Sequence, residues 1–348
     1  MGRITVLAAA GAISLALGVI GFTLGRATTV QQAATTAMPV RITDSELPTS
    51  TIASNPMPAE THLSPSPAAS PLPDRTSAAP AATNPACRNR DALGVSRLVE
   101  IDTTGGPGFG FEHFKQYDFL QEKEIVLTFD DGPWPENTLA VLKTLTNDCL
   151  KATFFEIGEH AVWHPEITKH LIAAGQTIGT HTWSHKDLAR NPYASDLEKA
   201  REEIEMGNSA VHAAAGAPIA AFFRFPDLQH SPQMLAYLGE RNMAVFSTDI
   251  DSFDFKLRRP DEVVKSIMTK LDKRGKGVIL MHDFQHATAE AMPELILQLK
   301  AGGYKVVHLV SRQALTTIPK YDEIVMQQNK LSLNNTRPEA LVVRTLGQ

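Results

Sequence analysis

Short apolar runs alternate with longer amphipathic stretches over residues 87–319. The runs are rich in β-branched and aromatic residues and are too short for helices, so they are predicted as strands. They comprise residues 125–129, 152–157, 177–180, 222–225, 244–248, 277–281 and 305–308. Helices are predicted between them, at residues 135–148, 164–174, 194–215, 232–241, 260–273 and 288–301. About seven strand–helix units in alternation predict an α/β fold whose parallel sheet can close into a barrel.

The pattern before residue 87 does not fit a soluble fold. Residues 4–25 are uncharged and mostly apolar, with Arg3 and Arg26 on either side. A membrane-spanning helix needs about 20 such residues, whereas the core of a cleaved signal peptide has about 7–15. The length favours an uncleaved signal anchor over residues 1–26, with a cleaved signal peptide as the alternative. The first predicts a membrane-anchored protein with an extracytoplasmic catalytic domain, and the second a secreted or periplasmic one.

The next segment, residues 27–86, consists largely of Ala, Thr, Ser and Pro. Such a segment buries too little apolar surface to fold, so it is predicted as a disordered linker. If flexible, it would span about 45 Å, which would hold a globular domain away from a membrane. The folded domain is therefore predicted over residues 87–319, and residues 320–348 form a polar C-terminal tail with no clear pattern.

Composition narrows the function classes. The chain has 348 residues, of which 43% are hydrophobic, so it can bury a full core. A formal net charge of -5 without a basic stripe argues against nucleic acid as a partner. The chain has two cysteines, Cys87 and Cys149. In an oxidising compartment they can form a disulfide that ties the start of the domain to a region further along it. The disulfide is favoured over two unpaired thiols, because Cys87 begins the ordered part, where an anchor would help.

Candidate chemistry begins with two adjacent carboxylates, Asp130 and Asp131, which end the first predicted strand and precede Gly132 and Pro133. Such carboxylates repel each other and are costly to desolvate, so a positive group such as a metal ion is expected beside them. Asp-Asp-Gly-Pro is also good turn chemistry, so the pair alone leaves both interpretations open. Chemistry in parallel α/β folds collects at the carboxyl ends of strands, so other strand ends should carry matching residues.

The third predicted strand meets this expectation, because His181 and His185 follow it directly. Histidines four apart lie on one face of a helical turn and can chelate a single ion. With one carboxylate they form a His2Asp set, which is common in open zinc sites that leave room for water. Histidine pairs are also frequent on surfaces, but the carboxylates at a neighbouring strand end favour a metal.

Other strand ends carry acid–base candidates. His282 follows the sixth predicted strand and suits either a general acid, since the ordinary pKa of histidine is near neutral, or a structural role. Arg224 lies in an apolar stretch and would need a carboxylate partner if buried, with a surface arginine as the alternative. Asp249, Asp251 and Asp254 follow the fifth predicted strand. There they can orient a histidine, neutralise an arginine or belong to a solvated loop.

Taken together, these motifs resemble the polysaccharide deacetylases of carbohydrate esterase family 4, the NodB-homology group, over about residues 122–312. The resemblance implies a distorted (β/α)7-type barrel and one divalent metal ion, with zinc the expected one. It implies a hydrolase that removes acetyl groups from N-acetylated sugars of a cell-envelope or environmental polysaccharide. The alternatives are an O-acetyl esterase of the xylan type on the same scaffold and a non-catalytic glycan-binding protein.

The resemblance assigns the metal ligands and the base. Asp131, His181 and His185 would hold the metal. Asp130 would be the general base that takes a proton from water. Arg224 would hold Asp130 in its ionised form.

The resemblance also assigns the acid and the groove. His282 would be the general acid, oriented by Asp254, which is preferred because Phe255 follows it. Phe255 would form one wall of the sugar groove, where the family usually has tryptophan. Leu280 would line a pocket for the acetyl methyl group. Asp227 stands where the family often has an aromatic residue, and its backbone N–H would hold the oxyanion.

Overall fold

The computed structural model describes Cys87 and residues 89–329. The predicted signal anchor, the whole predicted linker and the last part of the C-terminal tail lie outside these residues. Within the described part of the chain, no helix is both long and apolar enough to cross a bilayer.

Ten strands and eight α-helices make up the described residues. The strands are β1 (Val95–Ile101), β2 (Gly108–Phe109), β3 (Glu124–Asp130), β4 (Thr153–Glu156), β5 (Thr177–Thr180), β6 (Phe222–Phe223), β7 (Ala244–Phe246), β8 (Ile250–Asp251), β9 (Gly277–His282) and β10 (Lys305–Ser311). The helices are α1 (Asn137–Asn147), α2 (Gly158–Trp163), α3 (Pro165–Ala173), α4 (Leu197–Ala215), α5 (Pro232–Glu240), α6 (Pro260–Arg274), α7 (His286–Ala301) and α8 (Pro319–Asn329). Two short 3-10 turns, Pro226–Leu228 and Asp254–Lys256, follow β6 and β8.

The strands form one parallel sheet in which seven consecutive strands lie in the order β8-β9-β3-β4-β5-β6-β7. No ladder joins β7 to β8 within the described residues, so this row of seven strands is open between them. β10 pairs with the start of β3 and carries β1 on its other side. The predicted α/β class with a parallel sheet is confirmed, and every predicted strand and helix is present within three residues of its predicted ends.

Five elements were not predicted, namely β1, β2, β8, α2 and α8. β1 is half exposed and carries charged residues, and β2 and β8 have two residues each, so none of them has the apolar run of a buried strand. α8 begins at Pro319 within a polar segment. It is held by tertiary contact, because its buried Val325 packs against Met206 and Ala210 of α4.

Strand β3 is buried along its whole length, and its side chains alternate between two apolar layers. Ile125, Leu127 and Phe129 belong to the layer that contains the apolar faces of the helices. Val126 belongs to the inner layer, with Phe155 of β4, Phe222 of β6 and Phe246 of β7. The period of two places Asp130 on the same inner face as Val126, at the carboxyl end of the strand.

A disulfide joins Cys87 to Cys149, with their Cα atoms 5.8 Å apart, so the predicted pairing is confirmed. Cys149 follows α1 and precedes β4. Two hydrogen bonds hold the same lead-in segment against the end of α1: the Asn89 side-chain amide donates to Asn147 O, and the Gly94 N–H donates to Asp148 O. The start of the domain is thereby fixed at the amino end of the sheet.

Candidate active site

The three predicted metal ligands meet at the carboxyl ends of β3 and β5. Their ligand atoms all lie within 4.8 Å of one another. Asp131 Oδ1 is 3.5 Å from His181 Nε2 and 3.3 Å from His185 Nε2. The same oxygen is buried and accepts no hydrogen bond. A buried, unsatisfied carboxylate oxygen that faces two imidazole nitrogens fits a divalent cation with nitrogen and oxygen ligands.

The buried His181 is held in the form that such a ligand needs. Its Nδ1–H donates a hydrogen bond to Arg224 O at 2.7 Å, which leaves the lone pair of a neutral ring on Nε2, toward Asp131. Burial lowers the pKa of His181 well below its ordinary value, and the nearby His185 lowers it further. The imidazole therefore stays neutral and available to a metal.

The backbone around the ligands is unusual. Asp131, Thr182 and His185 have φ angles of 72°, 65° and 54°, in the left-handed region that side chains other than glycine rarely adopt. Residues held there cost free energy and persist where the surrounding structure fixes them. The Thr182 hydroxyl supports this turn by accepting a hydrogen bond from the His185 N–H at 3.1 Å.

Helix α4 supplies much of that support from outside the sheet. Glu203 accepts the Trp183 N–H on its backbone oxygen and the Ser184 N–H on its carboxylate. Gly207 lies against the backbone of Thr182, and a Cβ there would overlap it. The absence of a side chain at this position lets α4 approach the turn that carries both histidine ligands.

Asp130 and Arg224 form a buried ion pair on the inner face. Arg224 Nη1 donates to Asp130 Oδ1 at 2.7 Å and to the Thr128 hydroxyl at 2.8 Å, and the guanidinium also donates to Phe246 O and Ser247 O. Burial raises the pKa of Asp130 to about 6, because it outweighs the opposing effects of Arg224 and His282. Arg224 thus acts in the predicted direction, and the carboxylate remains mostly ionised at neutral pH.

His282 and Asp254 form the second pair. His282 Nδ1 is 2.6 Å from Asp254 Oδ1, and the His282 N–H and the Thr288 hydroxyl donate to Asp254 Oδ2. Burial lowers the pKa of His282, but the hydrogen bond and charge of Asp254, with Asp131 and Asp130, outweigh it and raise the pKa to about 10. The ring is thus held in its acidic form, with Nε2 4.0 Å from Asp131 Oδ2.

A cavity of about 300 Å³ connects these groups to solvent. The structure brings all three predicted substrate-binding residues, Asp227, Leu280 and Phe255, to its wall, together with Asp251. Asp227 lies in the left-handed region with a φ of 52°. The side chain of Asp251 accepts a hydrogen bond from the Phe253 N–H, so this carboxylate does not take the place of Asp254 beside His282.

Sequence reasoning missed two polar residues beside the site. His160 follows β4, and its Nδ1 lies 2.6 Å from Asp131 O. Asp283 is buried beside Gly132 and accepts a hydrogen bond from the Thr138 hydroxyl, while burial raises its pKa to about 7. The search for polar residues at strand ends, applied to the second predicted strand, would have found His160. Asp283 directly follows His282 in the chain, and only its tertiary contacts with Thr138 and Gly132 show that it is buried beside the site.

A family model and individual relatives all point to the same protein family. The model of the polysaccharide deacetylase family matches residues 119–246. Chitin deacetylase 1 of Saccharomyces cerevisiae is 37% identical over 169 residues, which are 47% of this chain and 53% of that protein. A peptidoglycan-N-acetylglucosamine deacetylase of Bacillus cereus is 32% identical over 193 residues, which are 54% of this chain and 67% of that protein. The chain thus spans about half the length of the yeast relative.

A solved structure agrees with the fold. The peptidoglycan deacetylase of Bdellovibrio bacteriovorus superposes with a TM-score of 0.57 at 28% sequence identity. The superposition covers 64% of this chain and 61% of that one. The match extends the likeness beyond the segment of the family model to most of the described residues.

Proposed function

Because the chain belongs to the polysaccharide deacetylase family, we propose that it is a metal-dependent hydrolase that removes acetyl groups from N-acetylated sugars of a polysaccharide. One observation carries the proposal: the buried Asp131 Oδ1 has no hydrogen-bond partner and faces two imidazole nitrogens. The Asp130–Arg224 and His282–Asp254 pairs lie beside it, with Asp130 Oδ2 3.9 Å from His181 Nε2 and His282 Nε2 4.0 Å from Asp131 Oδ2. This set combines a metal-type centre with one proton acceptor and one proton donor.

Asp131, His181 and His185 would hold the metal, and a His2Asp set suits zinc. A divalent ion there would supply Lewis acidity toward the acetyl carbonyl and a water molecule. Arg224 holds Asp130 through Oδ1, and Asp130 Oδ2 lies 3.9 Å from His181 Nε2, beside the ligand set. It would take a proton from the attacking water as oxygen adds to the acetyl carbon.

The remaining residues would complete the reaction. The backbone N–H of Asp227 would donate to the oxyanion of the tetrahedral intermediate. His282, kept protonated by Asp254, would give its proton to the sugar nitrogen as the C–N bond breaks. Acetate and the free amine of the sugar are the products. Leu280 and Phe255 would hold the acetyl methyl group and the sugar ring at the cavity wall.

The substrate polymer would be met outside the cytoplasm. The apolar segment 4–25 supports a membrane anchor, and segment 27–86 a tether, which would place the catalytic domain beside an envelope or environmental polysaccharide. The Cys87–Cys149 disulfide supports an oxidising compartment. Membrane fractionation of the full chain tests the anchor. Recovery in the soluble extracytoplasmic fraction would favour a cleaved signal peptide instead.

Acetate release from a panel of N-acetylated and O-acetylated glycans tests the activity. We expect release from N-acetylated glycans, loss of release with a chelator and recovery on addition of zinc. Release from O-acetylated glycans alone would establish the esterase instead. The absence of release from every glycan, despite a bound metal, would favour a non-catalytic glycan-binding protein.

Two variants separate the adjacent carboxylates. Asp131→Ala should lose both the metal and acetate release, whereas Asp130→Asn should keep the metal and lose release. Asp272→Asn, on the exposed face of α6, is the matched control and should change neither. Full activity of Asp130→Asn would show that another group takes the proton.

A further inference from the structure

Four aromatic side chains form an exposed cluster beside the cavity, which we call the tryptophan platform: Trp134, His160, Trp163 and His164. Trp134 follows β3, and the other three lie in α2 or directly after it. The ring of His160 is 5.2 Å from both tryptophan rings, and the ring of His164 is 6.0 Å from that of Trp134. None of these four residues lines the catalytic cavity.

The two indoles of the platform are exposed although they are large and mostly apolar. Trp134 is 36% exposed and Trp163 is 55% exposed. Exposed apolar patches on a folded domain often mark binding surfaces. Each indole contacts a histidine ring, which limits the side-chain conformations that it can adopt before a ligand binds.

The platform is connected directly to the candidate metal centre. His160 makes this connection: its Nδ1 lies 2.6 Å from Asp131 O, and its ring contacts both indoles. His282, whose Nε2 is 4.0 Å from Asp131 Oδ2, has its ring 5.7 Å from the ring of Phe255, which is 48% exposed. A continuous series of contacts therefore runs from one exposed aromatic wall, through the reacting groups, to the other.

We propose that the tryptophan platform is a second sugar-binding subsite, which takes a pyranose ring of the same glycan chain whose neighbouring sugar lies in the cavity. The apolar C–H faces of a pyranose ring pack well on indole, and the histidine nitrogens can hydrogen-bond its hydroxyls. The inference rests on the proposed function for the identity of the ligand. It adds that the enzyme binds an extended chain across the rim and favours longer substrates over short ones.

Kinetics on N-acetylglucosamine oligomers tests the platform. For Trp163→Ala, we expect KM for the pentamer to rise about tenfold more than KM for the dimer, with kcat nearly unchanged, since one ring contact is lost and the reacting groups are intact. Trp163→Phe keeps an aromatic face and should recover most of the difference. Leu297→Ala, at a residue 61% exposed on α7, is the matched control and should leave both values unchanged.

Binding can be measured without catalysis, because the chain has three tryptophans and two of them form the platform. The third, Trp183, packs against Gly158. We expect the pentamer to change the intrinsic fluorescence of metal-stripped wild-type protein, and this change to be lost in the Trp134→Phe/Trp163→Phe variant, in which Trp183 alone remains.

The two hypotheses fail in different ways. If acetate is released but the platform variants change KM for the pentamer and for the dimer by the same factor, the subsite is overturned and the proposed function stands. A pentamer that leaves wild-type fluorescence unchanged also overturns the subsite. If no variant releases acetate but the pentamer still changes platform fluorescence, the subsite is supported and the proposed function is not.

Discussion

Each end of strand β5 contacts a buried histidine, but only one of the two histidines belongs to a candidate site. At the carboxyl end, His181 is 2% exposed and donates through Nδ1 to Arg224 O. At the amino end, His308 of β10 is 8% exposed, and its Nε2 lies 2.9 Å from the hydroxyl of Thr177, the first residue of β5. Burial lowers the pKa of both, to about 4 for His308.

The difference lies in what surrounds each ring. The Thr177 hydroxyl beside His308 donates to Leu309 O, so the groups at the amino end satisfy one another. His181 Nε2 instead faces a carboxylate oxygen of Asp131 that has no partner. A neutral buried histidine is therefore a common outcome of packing, and an unsatisfied acceptor beside it distinguishes the candidate site.

The largest expected effect comes from exchanging the two histidines for glutamine separately. His181→Gln should lose the metal and lower kcat/KM by about 10³-fold or more. Mutation of a residue that only hydrogen-bonds to a metal ligand lowers metal affinity or activity by about 10–100-fold, and loss of the ligand itself should cost more. His308→Gln is the matched variant and should keep both the metal and kcat/KM. Metal content and acetate release of the two purified proteins measure this. Equal losses of metal and activity in the two variants would mean that His181 contributes through burial and packing, as His308 does, and not as a metal ligand.

Removal of the buried guanidinium at the carboxyl end should cost stability. Arg224→Met leaves Asp130 buried without its partner, so we expect the free energy of unfolding to fall by about 3–5 kcal/mol. Arg312→Met removes an exposed arginine that pairs with Glu100 and Asp102 and should change it little. Urea unfolding of both variants measures the difference. An unchanged midpoint for Arg224→Met would contradict the view that Asp130 is a buried charge.

The amino end should affect stability without affecting chemistry. The Cys87→Ser/Cys149→Ser variant opens a cross-link between residues 62 apart, and we expect it to lower the free energy of unfolding by about 2–4 kcal/mol. Acetate release at 25 °C should stay near the wild-type value, since neither residue lines the cavity. A loss of activity in protein that remains folded would place the disulfide's effect at the active site.

His308 should make the fold sensitive to mild acid. The folded protein keeps His308 neutral until the pH nears 4, whereas the unfolded chain binds that proton near pH 6.5. Because the unfolded state binds more protons between these values, His308 should lower the free energy of unfolding by about 2 kcal/mol from pH 7 to pH 5. His308→Gln should show a correspondingly smaller fall in urea unfolding at the two pH values. Equal falls would show that His308 takes up its proton in the folded state.

Much of the fold could be read from the chain because its signals are local. β3 is buried at all seven positions, and its middle, residues 125–129, appears in the sequence as an apolar run broken only by Thr128. The sequence also placed Asp130, Asp131, His181 and His185 at strand ends, where parallel folds collect chemistry. β1 and α8 escaped prediction because their stability comes from partners distant in the chain, such as Met206 beneath Val325.

The sequence by itself determined the strand–helix alternation and the residues of the candidate centre, because each is a property of neighbouring residues or of composition. Only the tertiary structure decided that Asp254 rather than Asp251 holds His282, and that Trp134 and Trp163 share one surface through His160. These outcomes depend on which side chains from different strands reach the same point. The distance between such side chains is set by the packing of the whole sheet, and the spacing of residues along the chain does not encode it.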